Sequence, residues 1–182
     1  NITPGNSAIF FPSYEVQNQV YYYFRHETQK TIIGEEPGLT KQERQEVIEK
    51  FKSYKEAGAV LLGAASGSFG EGIDLPGDFL KTVIIVGLPL AKPDLETQEL
   101  INYYDKRFAR GWDYGYIYPA LTKAFQNAGR CIRSETDKGC VVFLDERYAW
   151  ESYKKCFPQD ANIITTKLPQ EKVKEFFQST GK

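Results

Sequence analysis

The sequence predicts an α/β fold in which a mostly parallel sheet is flanked by helices on both faces. Three observations point there. Continuous apolar runs, clearest in Ala59-Val60-Leu61-Leu62-Gly63 and Thr82-Val83-Ile84-Ile85-Val86, lack the alternation of a strand with one wet face and suit strands covered on both sides. Capped helix signals separate such runs, as at Thr40-Lys41-Gln42-Glu43 ahead of Val47, Ile48 and Phe51. Strand and helix alternate along the chain, which calls for crossover connections and hence parallel neighbours.

Taken in order, Ser7 to Phe11 is a short apolar run closed by Pro12-Ser13, a buried strand ending in a loop. Tyr14 to Phe24 reads as a helix, Lys30 to Gly34 as a second short strand, and Glu35-Glu36-Pro37-Gly38 as a turn. The capping box at Thr40 opens the next helix, and Ala59 to Gly63 is the third strand. Ser66 to Gly77 is a glycine-dense loop leading to the strand Thr82 to Val86. Beyond Pro89, helix is expected from about Asp94 to Arg110 and again from about Tyr114 to Arg130, with Gly111 as the break. Gly139 to Leu144 is a further buried strand, Arg147 to Lys155 a helix, and Pro169 suits the first turn of a last helix reaching about Phe177. In parallel sheets ligands gather beyond the carboxyl ends of the strands, so the loops after Phe11, Gly63, Val86 and Leu144 are the places to look.

At 182 residues, 41% of them hydrophobic, the chain can bury one sizeable core. No shift in composition marks a second domain, so residues 1–182 are expected to form one. Lys and Arg number 23 against 24 Asp and Glu, and the net charge of -1 gives no overall basic field, so any contact with a polyanion has to be local. Cys131, Cys140 and Cys156, odd in number and without CxxC spacing, argue against a disulfide framework or a zinc site and fit a reducing compartment. His26 is the only histidine, which leaves a His-based metal site or a Ser-His-Asp triad a single candidate. No apolar run approaches the length of a membrane span, and Asn1-Ile2-Thr3-Pro4 is no signal peptide. A soluble protein is expected, cytoplasmic in a prokaryote or nuclear in a eukaryote. The absence of methionine suggests a piece of a longer one.

The stretch richest in chemistry is Gln126-Asn127-Ala128-Gly129-Arg130-Cys131-Ile132-Arg133, at the end of a helix whose Leu121, Ala124 and Phe125 face inward. Arginines three apart share a helix face, and guanidinium groups pair bidentately with phosphate oxygens while keeping their charge when partly desolvated. The string is therefore a candidate phosphate clamp, although a lone RxxR is more often a solvated surface pair. Gly70-Glu71-Gly72-Ile73-Asp74 complements it, since glycines let backbone N–H groups approach an anion or a ribose and carboxylates accept from hydroxyls. A GxG by itself is a tight turn as readily as a binding loop. GxxxxGK[ST], the backbone cradle for a triphosphate, is absent, so this chain alone is not expected to hydrolyse ATP. Val142-Phe143-Leu144-Asp145-Glu146 has the form of a magnesium-binding strand end, but no P-loop precedes it.

Gly5-Asn6-Ser7-Ala8-Ile9-Phe10-Phe11-Pro12-Ser13-Tyr14, Gly67-Ser68-Phe69-Gly70-Glu71-Gly72-Ile73-Asp74 and Gln126 to Arg133 resemble, in that order, motifs IV, V and VI of superfamily 2 helicases. The nearer match is the XPD family, DNA helicases that carry an iron-sulfur cluster, and Leu144-Asp145-Glu146-Arg147-Tyr148 resembles that family's next strand end. The likeness runs from Gly5 to about Phe157. It implies the second RecA-like motor domain of such a helicase. In the family the first motor domain contributes the P-loop, the DEAH box, the cluster cysteines and an inserted arch, so ATP and Mg2+ would be shared with that missing half and the cluster would belong to it.

The resemblance further implies residue roles. Gln126, Arg130 and Arg133 would face the nucleotide cleft, with Arg133 ahead of Arg130 as the arginine finger. Gly72 and Asp74 would lie by the nucleotide's sugar, and Glu71 would couple that site to the DNA track. Asp145 and Arg147 would hold the arginines of motif VI in place, or form a plain ion pair. Ser13 and Tyr14 would meet single-stranded DNA, the hydroxyl on a phosphate and the ring on a base. Tyr103 to Trp112 interleaves cations with aromatics; the rings of Tyr104 and Phe108, at helical spacing, read as core, which leaves Lys106, Arg107 and Arg110 as the DNA contacts.

The expectation is thus half of an ATP-dependent 5′-to-3′ DNA helicase serving nucleotide excision repair or a related pathway. Its partners would be single-stranded DNA, the first motor domain and DNA-repair factors, with no membrane. A DinG-like iron-sulfur helicase is the near alternative. A catalytically silent nucleic-acid-binding module is the distant one, weakened because such a module has no need of a nucleotide clamp.

Overall fold

The computed structural model describes residues 1–72, 79–132 and 137–179, with Glu71 and Gly72 described by their backbone alone. Among the described residues, β1 (Ser7–Phe11), β2 (Thr31–Gly34), β3 (Ala59–Ala64), β4 (Thr82–Val86) and β5 (Cys140–Leu144) form one all-parallel sheet in the order β2-β3-β1-β4-β5. β1 is central, with Ile9 opposite Leu62 of β3 and Ile84 of β4.

The apolar runs divide by period two between the faces of the sheet. Ala8, Phe10, Ala59, Leu61, Val83 and Ile85 enter the larger core. Ile9, Phe11, Val60 and Leu62, with Ile84 and Val86, turn to the other side. The crossover from β1 to β2 runs across the sheet in the opposite direction from the three later ones. Right-handed connections must therefore lay α1 (Tyr14–Phe24) on the face opposite α2 (Lys41–Ser53), α3 (Ser68–Gly72) and α5 (Tyr118–Ala128). The packing agrees: Val16 and Phe24 of α1 meet the smaller cluster, whereas Ile48, Phe51, Phe69, Leu121 and Ala124 fill the larger one. The capping box read at Thr40 is present, with Glu43 N–H donating to Thr40 Oγ1 at 3.2 Å and Thr40 N–H to Glu43 Oε2 at 2.8 Å.

Four local expectations are revised. The Ser66 to Gly77 loop contains the short α3. The helix expected from about Tyr114 to Arg130 is two elements, a π-helical turn (Asp113–Ile117) and α5, because the Tyr118 N–H reaches back five residues to Asp113 and Pro119 has no N–H to restore the four-residue ladder. After β5, Asp145 caps a 3₁₀ turn (Glu146–Ala149), and extended Trp150 separates it from the one-turn α6 (Glu151–Lys154).

The fourth concerns α4 (Leu95–Phe108), which buries none of its residues. Tyr104 is half-buried and Phe108 51% exposed, so neither ring is core. α4 lies against the π-helical turn, and its rings pack on one another: Tyr104 stacks on Phe108 at 6.2 Å and both meet Tyr114, at 5.7 and 5.5 Å. The chain closes with α7 (Pro169–Ser179), which buries Val173.

Candidate functional site

The site is built where the carboxyl ends of β1, β2 and β3 meet the amino ends of α1 and α3 and the end of α5. After β1 the chain turns at Pro12, and Ser13 caps α1 by accepting from Val16 N–H at 3.3 Å. Ser13 and Tyr14 are both half-buried. Tyr14 turns its phenol inward, hydrogen-bonded to the Glu35 carboxylate and to the Ser68 backbone, and burial together with that negative charge pushes its pKa up to about 12.

Glu35, just past β2 and 2% exposed, organises this corner. Its carboxylate accepts from Ala64 N–H at 3.0 Å, Ser68 Oγ at 2.7 Å and Phe69 N–H at 3.1 Å, which caps α3. Its own carbonyl accepts from the buried Gln17 Nε2 at 2.9 Å. Two glycines make the room, since a Cβ at Gly63 or Gly67 would stand 2.9 or 2.5 Å from a Glu35 carboxylate oxygen. Nothing local marks this role in advance: an acid after an apolar strand, followed by Glu36-Pro37-Gly38, has the form of a solvated turn.

The end of α5 and the residues just after it are fastened to the α3 turn from the other side. The Arg130 guanidinium donates to the Gly70 carbonyl. Asn127, fully buried, donates through Nδ2 to Ala65 O at 3.1 Å and Lys123 O at 3.0 Å, and Lys123 Nζ reaches Ser66 Oγ at 3.3 Å. Asn127 was legible in principle, because a polar residue among Leu121, Ala124 and Ala128 on the inward helix face needs a buried partner. Cys131, next to Arg130, is buried with Sγ 3.6 Å from Leu80 O and 3.7 Å from Cys140 O, and burial pushes its thiol up to about 12.

Of the expected nucleotide residues, Arg130 is half-buried in this latch and Gln126 is exposed one turn earlier on α5. Glu71 and Gly72 end α3, with nothing described of their side chains. Asp74 and Arg133 lie outside the described residues. Asp145 and Arg147 pair with each other, Nε to Oδ1 at 2.8 Å and Nη2 to Oδ2 at 2.7 Å, which draws the Asp145 pKa down.

Lys106, Arg107 and Arg110 belong to a separate region, on and just after α4, and all three are exposed. Arg107 donates to Tyr103 OH at 2.6 Å and lies over the Phe108 ring at 5.5 Å. Arg110 donates through two nitrogens to Asp113 Oδ2, at 3.0 and 2.8 Å, which raises its pKa.

Parallel sheet, helices on both faces and a cluster of loops at the strand ends together define a RecA-like motor domain. The chain belongs to the helicase C-terminal domain family, whose model matches residues 1–162. It is 34% identical over 163 residues to a probable ATP-dependent helicase of Methanocaldococcus jannaschii, covering 80% of this chain and 24% of that protein. To the ATP-dependent DNA helicase DinG of Photobacterium profundum it is 32% identical over 155 residues, covering 82% of this chain and 22% of the other. A solved XPD helicase superposes with a TM-score of 0.61 at 26% identity, over 84% of this chain and 27% of that one. The chain thus spans about a quarter of the length of these relatives, and it is a helicase C-terminal domain of the DinG/XPD type. No helix among the described residues is long and apolar enough to cross a membrane.

Proposed function

We propose that this chain is the second motor domain of an ATP-dependent, 5′-to-3′ DNA helicase of the XPD type, acting in nucleotide excision repair or a related pathway. The first motor domain of the same protein supplies the P-loop, the DEAH box and the iron-sulfur cluster, and ATP with Mg2+ sits between the two. ATP brings the phosphoryl group to be transferred; this chain's part is to stabilise its charge. Arg133 is the first candidate for the arginine finger and Arg130 the second. Gln126, Gly72 and Asp74 face the nucleotide, and Glu71 links that cleft to the DNA track. Single-stranded DNA runs past Ser13 and Tyr14, with Lys106, Arg107 and Arg110 as further contacts. DNA-repair factors complete the list of partners.

The observation that carries this reading is the latch between α5 and the α3 turn, formed by Arg130 on Gly70 and Asn127 on Ala65. It makes motifs V and VI one unit, as a cleft needs if it is to close on a nucleotide and reopen as a body. The likeness to DinG favours a second reading, a DinG-like helicase with the same reaction in another pathway.

The test is single-strand-stimulated ATPase activity, in this chain alone and in the full-length protein. Silence alone with stimulated hydrolysis in the whole supports the half-motor reading. Hydrolysis by the chain alone would mean a complete enzyme, and no activity in either a binding module. In the full-length protein, Arg133→Ala should lower kcat by about a hundredfold or more with little change in the KM for ATP. An unchanged kcat moves the finger to Arg130.

A further inference from the structure

Motif IV and motif V are joined through one buried side chain that belongs to neither. Glu35 projects from the end of β2 over the end of β3, and its two oxygens are shared among donors from separate stretches: Ala64 N–H at 3.0 Å, Ser68 Oγ at 2.7 Å, Phe69 N–H at 3.1 Å and the Tyr14 phenol. A carboxylate offers about four lone-pair directions, so this set saturates it. Tyr14 opens α1, directly after the Ser13 cap, whereas Ser68 and Phe69 open α3, which leads into Gly70-Glu71-Gly72. The starts of the two motif helices are thus spaced by a single group. Gly63 and Gly67 leave the carboxylate no slack, and the Gln17 bond to the Glu35 carbonyl fixes its backbone.

The geometry points to Glu35 as the positioning residue that couples the single-strand track at Ser13 and Tyr14 to the nucleotide loop of motif V. The inference rests on the helicase reading above. The physical argument is that a load on the Tyr14 ring can be relieved only by moving its phenol or by moving the carboxylate. The carboxylate cannot move without displacing the Ser68 hydroxyl and the Phe69 N–H at the start of α3. Arg44 of α2 adds a positive charge near the Tyr14 phenol, and its Nε is buried with no hydrogen-bond partner among the described residues. Strand engagement at Tyr14 therefore reaches motif V through hydrogen bonds that are already made and already aligned.

The experiment uses the full-length protein and reads the stimulation factor, the ratio of kcat with saturating single-stranded DNA to kcat without it. Glu35→Gln keeps the reach of the side chain but replaces one acceptor by a donor that faces other donors. It should cut the stimulation factor at least fivefold, with the Kd for a fluorescent oligothymidine changed less than threefold. Tyr14→Phe removes one hydroxyl without opening a cavity and should lower the same factor. The double variant should fall no further than Glu35→Gln alone, because both changes break one path. A merely structural Glu35 would lower the melting temperature and leave the ratio intact. A folded Glu35→Gln protein whose stimulation factor stays within twofold of the unsubstituted protein overturns the inference; should that variant not fold, Tyr14→Phe decides by the same criterion. No DNA stimulation in the unsubstituted protein would remove the helicase reading and the coupling with it, whereas stimulation that survives the substitutions removes only the coupling.

Discussion

The Arg130 guanidinium donates to the main-chain carbonyl of Gly70, so a side chain just past α5 holds the backbone of the α3 turn. Three residues earlier, in the last turn of α5, Asn127 donates to the carbonyl of Ala65. These two bonds leave the α3 turn little freedom. A Cβ added at Gly70 would lie 2.4 Å from Ala65 O and 2.8 Å from Ala65 C, backbone atoms that Asn127 keeps in place. Gly70→Ala should cost about 2–3 kcal/mol, the upper range for an overpacked site. Urea denaturation measures it, and a loss under about 0.5 kcal/mol would mean that the turn can shift after all.

Asn6 offers a second test, at the foot of β1. Its Nδ2 donates to Phe51 O at 2.9 Å and its Oδ1 accepts from Ala59 N–H at 2.8 Å, with the residue 1% exposed, so it ties the exit of α2 to the entry of β3. Asn6→Ala strands two backbone groups away from water, and each such loss costs about 1–3 kcal/mol. A total near 3 kcal/mol is expected from equilibrium unfolding. Asn6→Asp should fare no better, because it cannot donate to Phe51 O; full stability of either variant would contradict this account.

The extent to which fold and site can be read from the chain follows from the range of the forces involved. Each strand is legible because it is a run such as Thr82 to Val86 whose neighbours in sequence also fill the core, and α2 is legible because Thr40 and Glu43 form a local cap. The latch on α3 is not, since Arg130 and Gly70 are 60 residues apart and nothing local distinguishes a guanidinium that grips a carbonyl from one awaiting phosphate. Glu35 fails for the same reason: Ala64, Ser68 and Phe69 lie 29 to 34 residues beyond it, and the Tyr14 phenol comes from a different helix on the far side of β2. On α4 the helical spacing of Tyr104 and Phe108 signals an apolar stripe correctly, but a stripe does not say whether it meets the sheet or only its own neighbours.

Cys131 lies between Arg130 and the string's last arginine, and its thiol can report on the docking of that segment. Buried against Leu80 O and Cys140 O, with its pKa pushed up to about 12, it should react with an alkylating reagent at pH 8 only when the segment opens. Protection of about a hundredfold or more relative to the half-buried Cys156 is expected by mass spectrometry, and denaturant should erase it. Equal labelling of the two thiols in the folded protein would show that the segment is not docked.

The Asp145–Arg147 pair should leave a signature in acid. Two bonds, at 2.7 and 2.8 Å, draw the Asp145 pKa below the usual aspartate range, the hydrogen bond from Arg147 being the largest cause, while the Arg147 side chain is 30% exposed and that of Asp145 15%. A carboxyl with a depressed folded pKa binds fewer protons in the native state than in the unfolded one. Its contribution is therefore fully present above the unfolded value of about 3.9 and is lost as pH falls through the folded value. Asp145→Asn keeps an acceptor for the Arg147 N–H that starts the 3₁₀ turn, at 2.9 Å in the native pair, but gives up the charge. At pH 7 the variant should be less stable by about 1 kcal/mol, as for a well-aligned, partly buried pair. The difference should shrink towards zero as the pH falls below about 4. A gap that persists undiminished in acid would mean that the carboxylate's charge is not what holds Arg147.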